Sequence, residues 1–305
     1  DFPADVGGLE PLRDRGVPVF EDVKNVHVVY QEDWNDALKL ILQQLLGRDP
    51  NSQEFQYIMD AYQYVDYHVV GWYDSPQLFP RNNADGTPVP FTDQAWPEDL
   101  DRIAAPLRGE RVYFHLMVPR KEVSVRGQGK PAPVQILGHG YSSNRFDIAT
   151  IGPYAAKQGM AVIAIDCVSH GIGLSPGEAQ QAEDILGLLG LRPFLEAVTR
   201  RGRGFDHNND QVIDSGADFW TAYLFHTRDV VRQSALDYMQ LVRILKAFDG
   251  ERTFNFDVNG DGKNDLAGDF DGDGVVDIGG EASIGMMGAS LGGIMSTVVS
   301  ALEPE

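Results

Sequence analysis

Apolar and polar positions fall into a regular order from residue 111 onward. RVYFHLMVP (111–119) alternates and predicts a strand. PVQILG (133–138) and GMAVIAID (159–166) are short continuous apolar runs, the pattern of strands covered on both faces. A helix is predicted between them, over 146–158, and a long one over about 222–248, carrying TRDVVRQSALDYMQLVRILKAF. Near the end, Ile284–Met287 reads as a strand and IMSTVVSAL as a helix. Strands alternating with helices predict an α/β fold built on a mostly parallel sheet.

The first hundred residues are less regular. WNDALKLILQQLLG (34–47) places Trp34, Leu38, Ile41 and Leu45 at helical spacing and ends at a glycine cap. FQYIMDAYQYVDYHVVGWY reads as a helix passing into a strand, and PRNNADGTPVPFTD as a loop. With no catalytic pattern there, 1–105 is an N-terminal elaboration packed on a main domain, 106–305. Two insertions interrupt that domain, at 172–220 and 250–282. The first contains Ile185, Leu186, Leu188, Leu189 and Leu191, which suit either a face packed on the core or a lid contacting acyl chains.

Composition narrows the choice of partners. The chain has 305 residues, is 43% hydrophobic and carries a net charge of -20. Such a charge argues against nucleic acid, whose phosphates require a basic surface. No apolar run approaches a membrane span, and Asp1 does not open a signal peptide. One cysteine, Cys167, excludes an intrachain disulfide.

Many of the acids share one spacing. Asp257, Asn259, Asp261 and Asp265 occupy positions 1, 3, 5 and 9 of a loop, and Asp269, Asp271, Asp273 and Asp277 repeat it 12 residues later. Gly262 and Gly274 stand at position 6, where a calcium loop turns sharply. Asp206, Asn208, Asp210 and Asp214 form a third copy, with Gln211 at position 6. At position 7 Val212, Lys263 and Val275 would offer a backbone carbonyl. Position 12 lacks the usual Glu, but position 13 is acidic in each loop: Asp218, Asp269 and Glu281. The pattern resembles the calcium repeats of dockerins and thrombospondin type 3 modules. It implies two to three structural Ca²⁺ ions, of a kind that fills outside the cell, at a bacterial surface or in the periplasm. The bland alternative is a set of solvated acidic turns.

Gly288-Ala289-Ser290-Leu291-Gly292 is G-x-S-x-G between the last strand and helix. That context presents a serine at a tight turn and leaves the Leu291 N–H at a helix N-terminus, able to hold an oxyanion. Leu137-Gly138-His139-Gly140-Tyr141 resembles the HG-x loop of α/β-hydrolases. The resemblance implies that Tyr141 donates a second oxyanion N–H, Gly140 permits close approach, and His139 is structural. AVIAIDCVSHGIG is similar to that fold's fourth-strand turn, with Asp166 a turn residue. With DHNNDQVIDSG, TRDVVRQSALDYMQLV and GASLGG, the chain more narrowly resembles large surface lipases and phospholipases of Gram-negative bacteria. Ester hydrolysis on lipid or medium-chain acyl substrates is what the resemblance implies.

In that family the triad acid and histidine follow the serine, yet none of the seven histidines lies after Ser290. The expectation is that a C-terminal fragment or second chain, separated by proteolysis or by design of the sequence, completes the sheet and supplies both. Alternatives are a serine peptidase of the prolyl-oligopeptidase type, and a non-catalytic, calcium-stabilised surface protein.

Overall fold

The computed structural model describes residues 22–40, 42–43, 47–78, 87, 89–96, 108–192, 194 and 202–303. Six strands form one mixed sheet: β1 (Val23–Tyr30), β2 (Val65–Gln77), β3 (Arg108–Pro119), β4 (Val134–Gly138), β5 (Ala161–Ile165) and β6 (Ile284–Gly288). Their spatial order is β1-β2-β3-β5-β4-β6. β4 is parallel to β5 and β6, whereas β1, β2, β3 and β5 pair antiparallel in succession. The helices are α1 (Gln31–Leu40), α2 (Gln53–Tyr62), α3 (Ile148–Ala156), α4 (Pro176–Leu188), α5 (Leu224–Lys246) and α6 (Leu291–Leu302).

Both sheet faces are covered, which explains the unbroken apolar runs. Every residue of β5 is buried. Ile163 and Ile165 face a core that also takes Tyr238 and Leu241 from α5 and Met295 and Val299 from α6. Val162 and Ala164 face the other side, with Trp34 and Leu38 of α1, Phe55 and Ile58 of α2, Ile148 of α3 and Leu186 of α4. The period-two alternation of a strand thus feeds two cores at once.

The 1–105 region enters the sheet itself, since β2 runs beside β3 from Val65↔Pro119 to Gln77↔Arg108. β1 is a strand that the apolar pattern does not announce; its burial is mostly partial because it forms the sheet's outer edge. α1 begins at Gln31, three residues ahead of the periodic run, and Ile41 and Leu45 lie outside the described residues.

Two buried histidines join β2 to β3. His68 Nε2–H donates to Gln31 Oε1 (2.7 Å), which leaves Nδ1 free to accept from His115 Nε2–H (2.9 Å). Burial holds His68 well below its usual pKa and, with Arg145 nearby, lowers His115 to about 3. The folded protein therefore refuses a proton that the unfolded chain accepts near pH 6.5, and stability is lost as pH falls below that value. Substituting His115 by Gln removes its share of this penalty. The variant's stability deficit should shrink by about 2 kcal/mol between pH 8 and pH 5, read from urea midpoints; a deficit constant with pH would contradict it.

Candidate active site and acidic loops

Packing of α6 against the end of β4 explains the motif glycines. A Cβ on Gly292 would lie 2.1 Å from the Gly138 carbonyl oxygen, and one on Gly288 would lie 2.6 Å from the same atom. Three backbones meet where side chains cannot fit. Leu291, Met295 and Val299 then turn inward as one helical face. Ser290, caught between strand and helix, takes φ 54° and ψ −119°, a region a non-glycine residue occupies only when its surroundings impose it. The serine is exposed.

The same contact brings the HG loop to the serine. Gly138 pairs with Gly288 in the β4–β6 ladder, so His139, Gly140 and Tyr141 leave the same sheet edge as Ser290 and Leu291. His139 is buried, with Nδ1–H donating to the Gly140 carbonyl (2.8 Å) and Nε2 accepting from the Cys167 N–H (3.0 Å). Both ring nitrogens are thereby engaged in holding the loop to the end of β5. Downstream, the Arg145 N–H donates to Asp166 Oδ1 (2.6 Å) and its guanidinium pairs with the same buried carboxylate. Asp166 thus fastens the far end of the HG loop. Arg145 is a contributor that no local sequence signal marks.

Of the remaining histidines, His170 lies against the HG loop. His170 donates from Nδ1 to the Val168 carbonyl (2.9 Å) and packs between His139 and Phe219. Burial, with His139 beside it, lowers its pKa to about 4. His226 bridges the Gln94 and Asp218 carbonyls, His207 lies 3.4 Å from Asp218, and His27 sits on β1 at the opposite edge from β6.

All three acidic loops adopt one conformation. Positions 4 and 6 have positive φ in each: Gly260 and Gly262, Gly272 and Gly274, Asn209 and Gln211. The first acid of each accepts from the position-6 N–H: Asp257 from Gly262 (2.7 Å), Asp269 from Gly274 (2.8 Å), Asp206 from Gln211 (2.8 Å). Position 5 accepts from position 7 in every loop, through Asp261 and Lys263, Asp273 and Val275, and Asp210 and Val212. Asp265, Asp277 and Asp214 at position 9 each accept from the N–H at position 2. Gln211 therefore takes the glycine's backbone conformation without being one. Asn259 and Asn208 accept in the same way from Asp261 and Asp210. Glu281 is exposed beyond the second loop.

Asp269, Asp271 and Asp273 bring carboxylate oxygens within 4.8 Å of one another. Burial, with Asp277 and Asp271 close by, raises Asp269 to about 6 against two backbone donors. Asp271 Oδ1 is buried without a hydrogen-bond partner, while its Oδ2 meets Arg126 (2.9 Å) and Lys121 (3.0 Å). A hard divalent cation suits such oxygens, and the crowding of acids is what it would relieve.

The 206–218 loop is tied to the HG loop. Tyr141 Oη–H donates to the Gly216 carbonyl (3.1 Å), and Ser215 Oγ–H to the Ser143 carbonyl (2.9 Å). In the 172–220 insertion, Leu186 and Leu191 lie in the core beside Trp34, whereas Leu188 and Leu189 are exposed. The residues there best suited to an acyl lid are thus partly spent on core packing.

A mixed sheet covered on both faces, with a strained serine between strand and helix at its edge, has the α/β-hydrolase architecture. No family model matches the chain, and no curated protein does. Solved structures similar to it include two esterases. Acetyl xylan esterase 1 from Thermoanaerobacterium sp. JW/SL YS485 shows 20% identity and a TM-score of 0.33, over 90% of this chain and 54% of its own. The acetyl xylan esterase from Paenibacillus sp. R4 shows 17% identity and a TM-score of 0.34, over 97% and 60%. The chain therefore spans less than two thirds of either length. Among the described residues no helix is long and apolar enough to cross a membrane.

Proposed function

We propose that this chain carries the nucleophile and oxyanion groups of a serine carboxylic-ester hydrolase. The observation that carries the reading is Ser290, exposed and strained at the junction of β6 and α6, beside the loop His139-Gly140-Tyr141. Ser290 Oγ attacks the ester carbonyl carbon, and the carbonyl electron pair moves onto oxygen, where the Leu291 and Tyr141 N–H groups receive it. A base takes the serine proton and returns it to the alcohol as the ester C–O bond breaks. Water then attacks the acyl-serine, and the acid leaves with Ser290 restored.

The histidine of the loop beside Ser290, His139, spends both ring nitrogens on the Gly140 carbonyl and the Cys167 N–H, and we infer that the base and its orienting acid belong to a further segment. β6 supports this: among the described residues it is the sheet's edge and pairs only with β4, and Met287 on it and Ile294 on α6 are exposed. A strand added there would cover an otherwise unprotected apolar edge. The test is labelling of the complete protein by a fluorophosphonate in calcium. One label per chain, on Ser290, is expected; an unlabelled serine in a folded protein refutes the reading.

We further propose that the three acidic loops bind structural calcium, an assignment supported by their shared conformation and by the crowded oxygens of Asp269, Asp271 and Asp273. Calcium at about a hundred times its dissociation constant should stabilise the fold by about 3 kcal/mol per site. Thermal melts in calcium and in chelator measure this. Equal midpoints would leave the loops as solvated turns.

A further inference from the structure

The site reading leaves four large apolar side chains in water at the same edge of the sheet. Tyr141 is 43% exposed, Trp220 44%, Leu224 75% and Phe225 54%. Tyr141 belongs to the HG loop itself. Trp220 stands 6.5 Å from it, ring to ring, and Leu224 and Phe225 open α5 four residues later. The topology places that helix start: α5 lies between parallel strands, antiparallel to them, so its N-terminus meets their C-terminal ends. Ser290 emerges at that end.

The two aromatic rings are fixed rather than loose. Tyr141 is anchored by its hydroxyl on Gly216 and by edge contact with the buried His170. Trp220 rests on the buried Phe219, ring centroids 4.8 Å apart. Holding rings rigid at the surface removes the ordering cost a ligand would otherwise meet, and an apolar patch beside a reactive group marks a binding surface. The cation on the patch, Arg228, lies over the Phe225 ring, 5.0 Å from its centroid, and is paired with the buried Asp229.

Resting on the ester-hydrolase reading, we infer that Tyr141 and Trp220, extended by Leu224 and Phe225, form the subsite for an apolar chain of an ester. The chain comes from the acyl or the alcohol side of the ester. Comparing 4-nitrophenyl octanoate and octyl acetate with 4-nitrophenyl acetate separates the two sources.

In the complete protein, Trp220→Ala should lose about tenfold more kcat/KM on one octyl-bearing ester than on 4-nitrophenyl acetate. Leu224→Ser, at a solvent-facing position, should shift the same ratio in the same direction. Leu188→Ala, at an exposed apolar position on α4, should leave it unchanged. Calorimetric binding of N-octylacetamide, which is not hydrolysed, reads the subsite without turnover, and Trp220→Ala should weaken it about fivefold. Loss of turnover on every ester with amide binding intact would remove the hydrolase reading and keep the subsite. Unchanged ratios with unchanged amide binding, an equal effect of Leu188→Ala, or no amide binding by the wild-type protein would overturn the subsite.

Discussion

Substituting Ser290 by Ala should reduce ester turnover by roughly a million-fold, because removing the nucleophile from such a constellation disables the whole unit. The fold should survive. An alanine Cβ takes the place of the serine Cβ at φ 54°, so the turn is neither relieved nor further strained. Ser290→Gly gives the complementary result: equally inactive, but more stable by about 1 kcal/mol, since glycine adopts positive φ freely. Turnover with 4-nitrophenyl acetate and urea midpoints measure the two effects in one series. A Gly variant no more stable than the Ala variant would show that the elbow stores no strain. An Ala variant that retains turnover would place the nucleophile elsewhere.

The second large effect concerns Arg126. Its guanidinium is buried and reaches the carboxylates of Asp277, Asp271 and Asp66, the Tyr67 hydroxyl and the Pro119 carbonyl. One side chain thus joins β2, the end of β3 and the second acidic loop. Arg126→Met keeps the stem but leaves Asp277 buried without its cation, a loss of about 3–5 kcal/mol. Burial already raises Asp277, and the guanidinium opposes that shift. Without Arg126 the carboxyl is expected to hold a proton instead. Stability of the variant should therefore recover in part as the pH is lowered. Urea denaturation in chelator, which keeps calcium off Asp277, measures it at pH 7 and pH 5, and a loss below 1 kcal/mol at pH 7 would contradict the account.

The strands from β3 onward and the helices α3, α5 and α6 were legible because each carries a periodicity of its own, whereas α4 was read only as an insertion. β4 and β5 are continuous apolar runs, α5 has one long amphipathic pattern, and G-x-S-x-G lies between a strand and a helix. β1 was not legible: VKNVHVVY is partly exposed along an outer edge, and its pairing with β2 is long-range and carries no local signal. The antiparallel half of the sheet escaped for the same reason, since strand direction is set by how the chain crosses over. At the site, Ser290 and the HG loop stood out through their glycines. Arg145 and Trp220 did not, because an arginine on a buried carboxylate and a tryptophan in a bend before a helix look ordinary until the backbone brings them to the loop. The leucines at 185–191 suggested acyl contact, yet Leu186 and Leu191 fill the core under α1.

The contact among Gly138, Gly288 and Gly292 also bears on how the molecule folds. The β2–β3 ladder joins neighbouring segments, but the elbow forms only when two strands at opposite ends of the α/β region meet. Loop-closure entropy makes such a meeting late, after the antiparallel strands have a face to offer. Strain at Ser290 cannot be held before then. A chain that has collapsed without docking β6 carries most of its core and no reactive serine, so recovery of fluorophosphonate reactivity during refolding would time the final step.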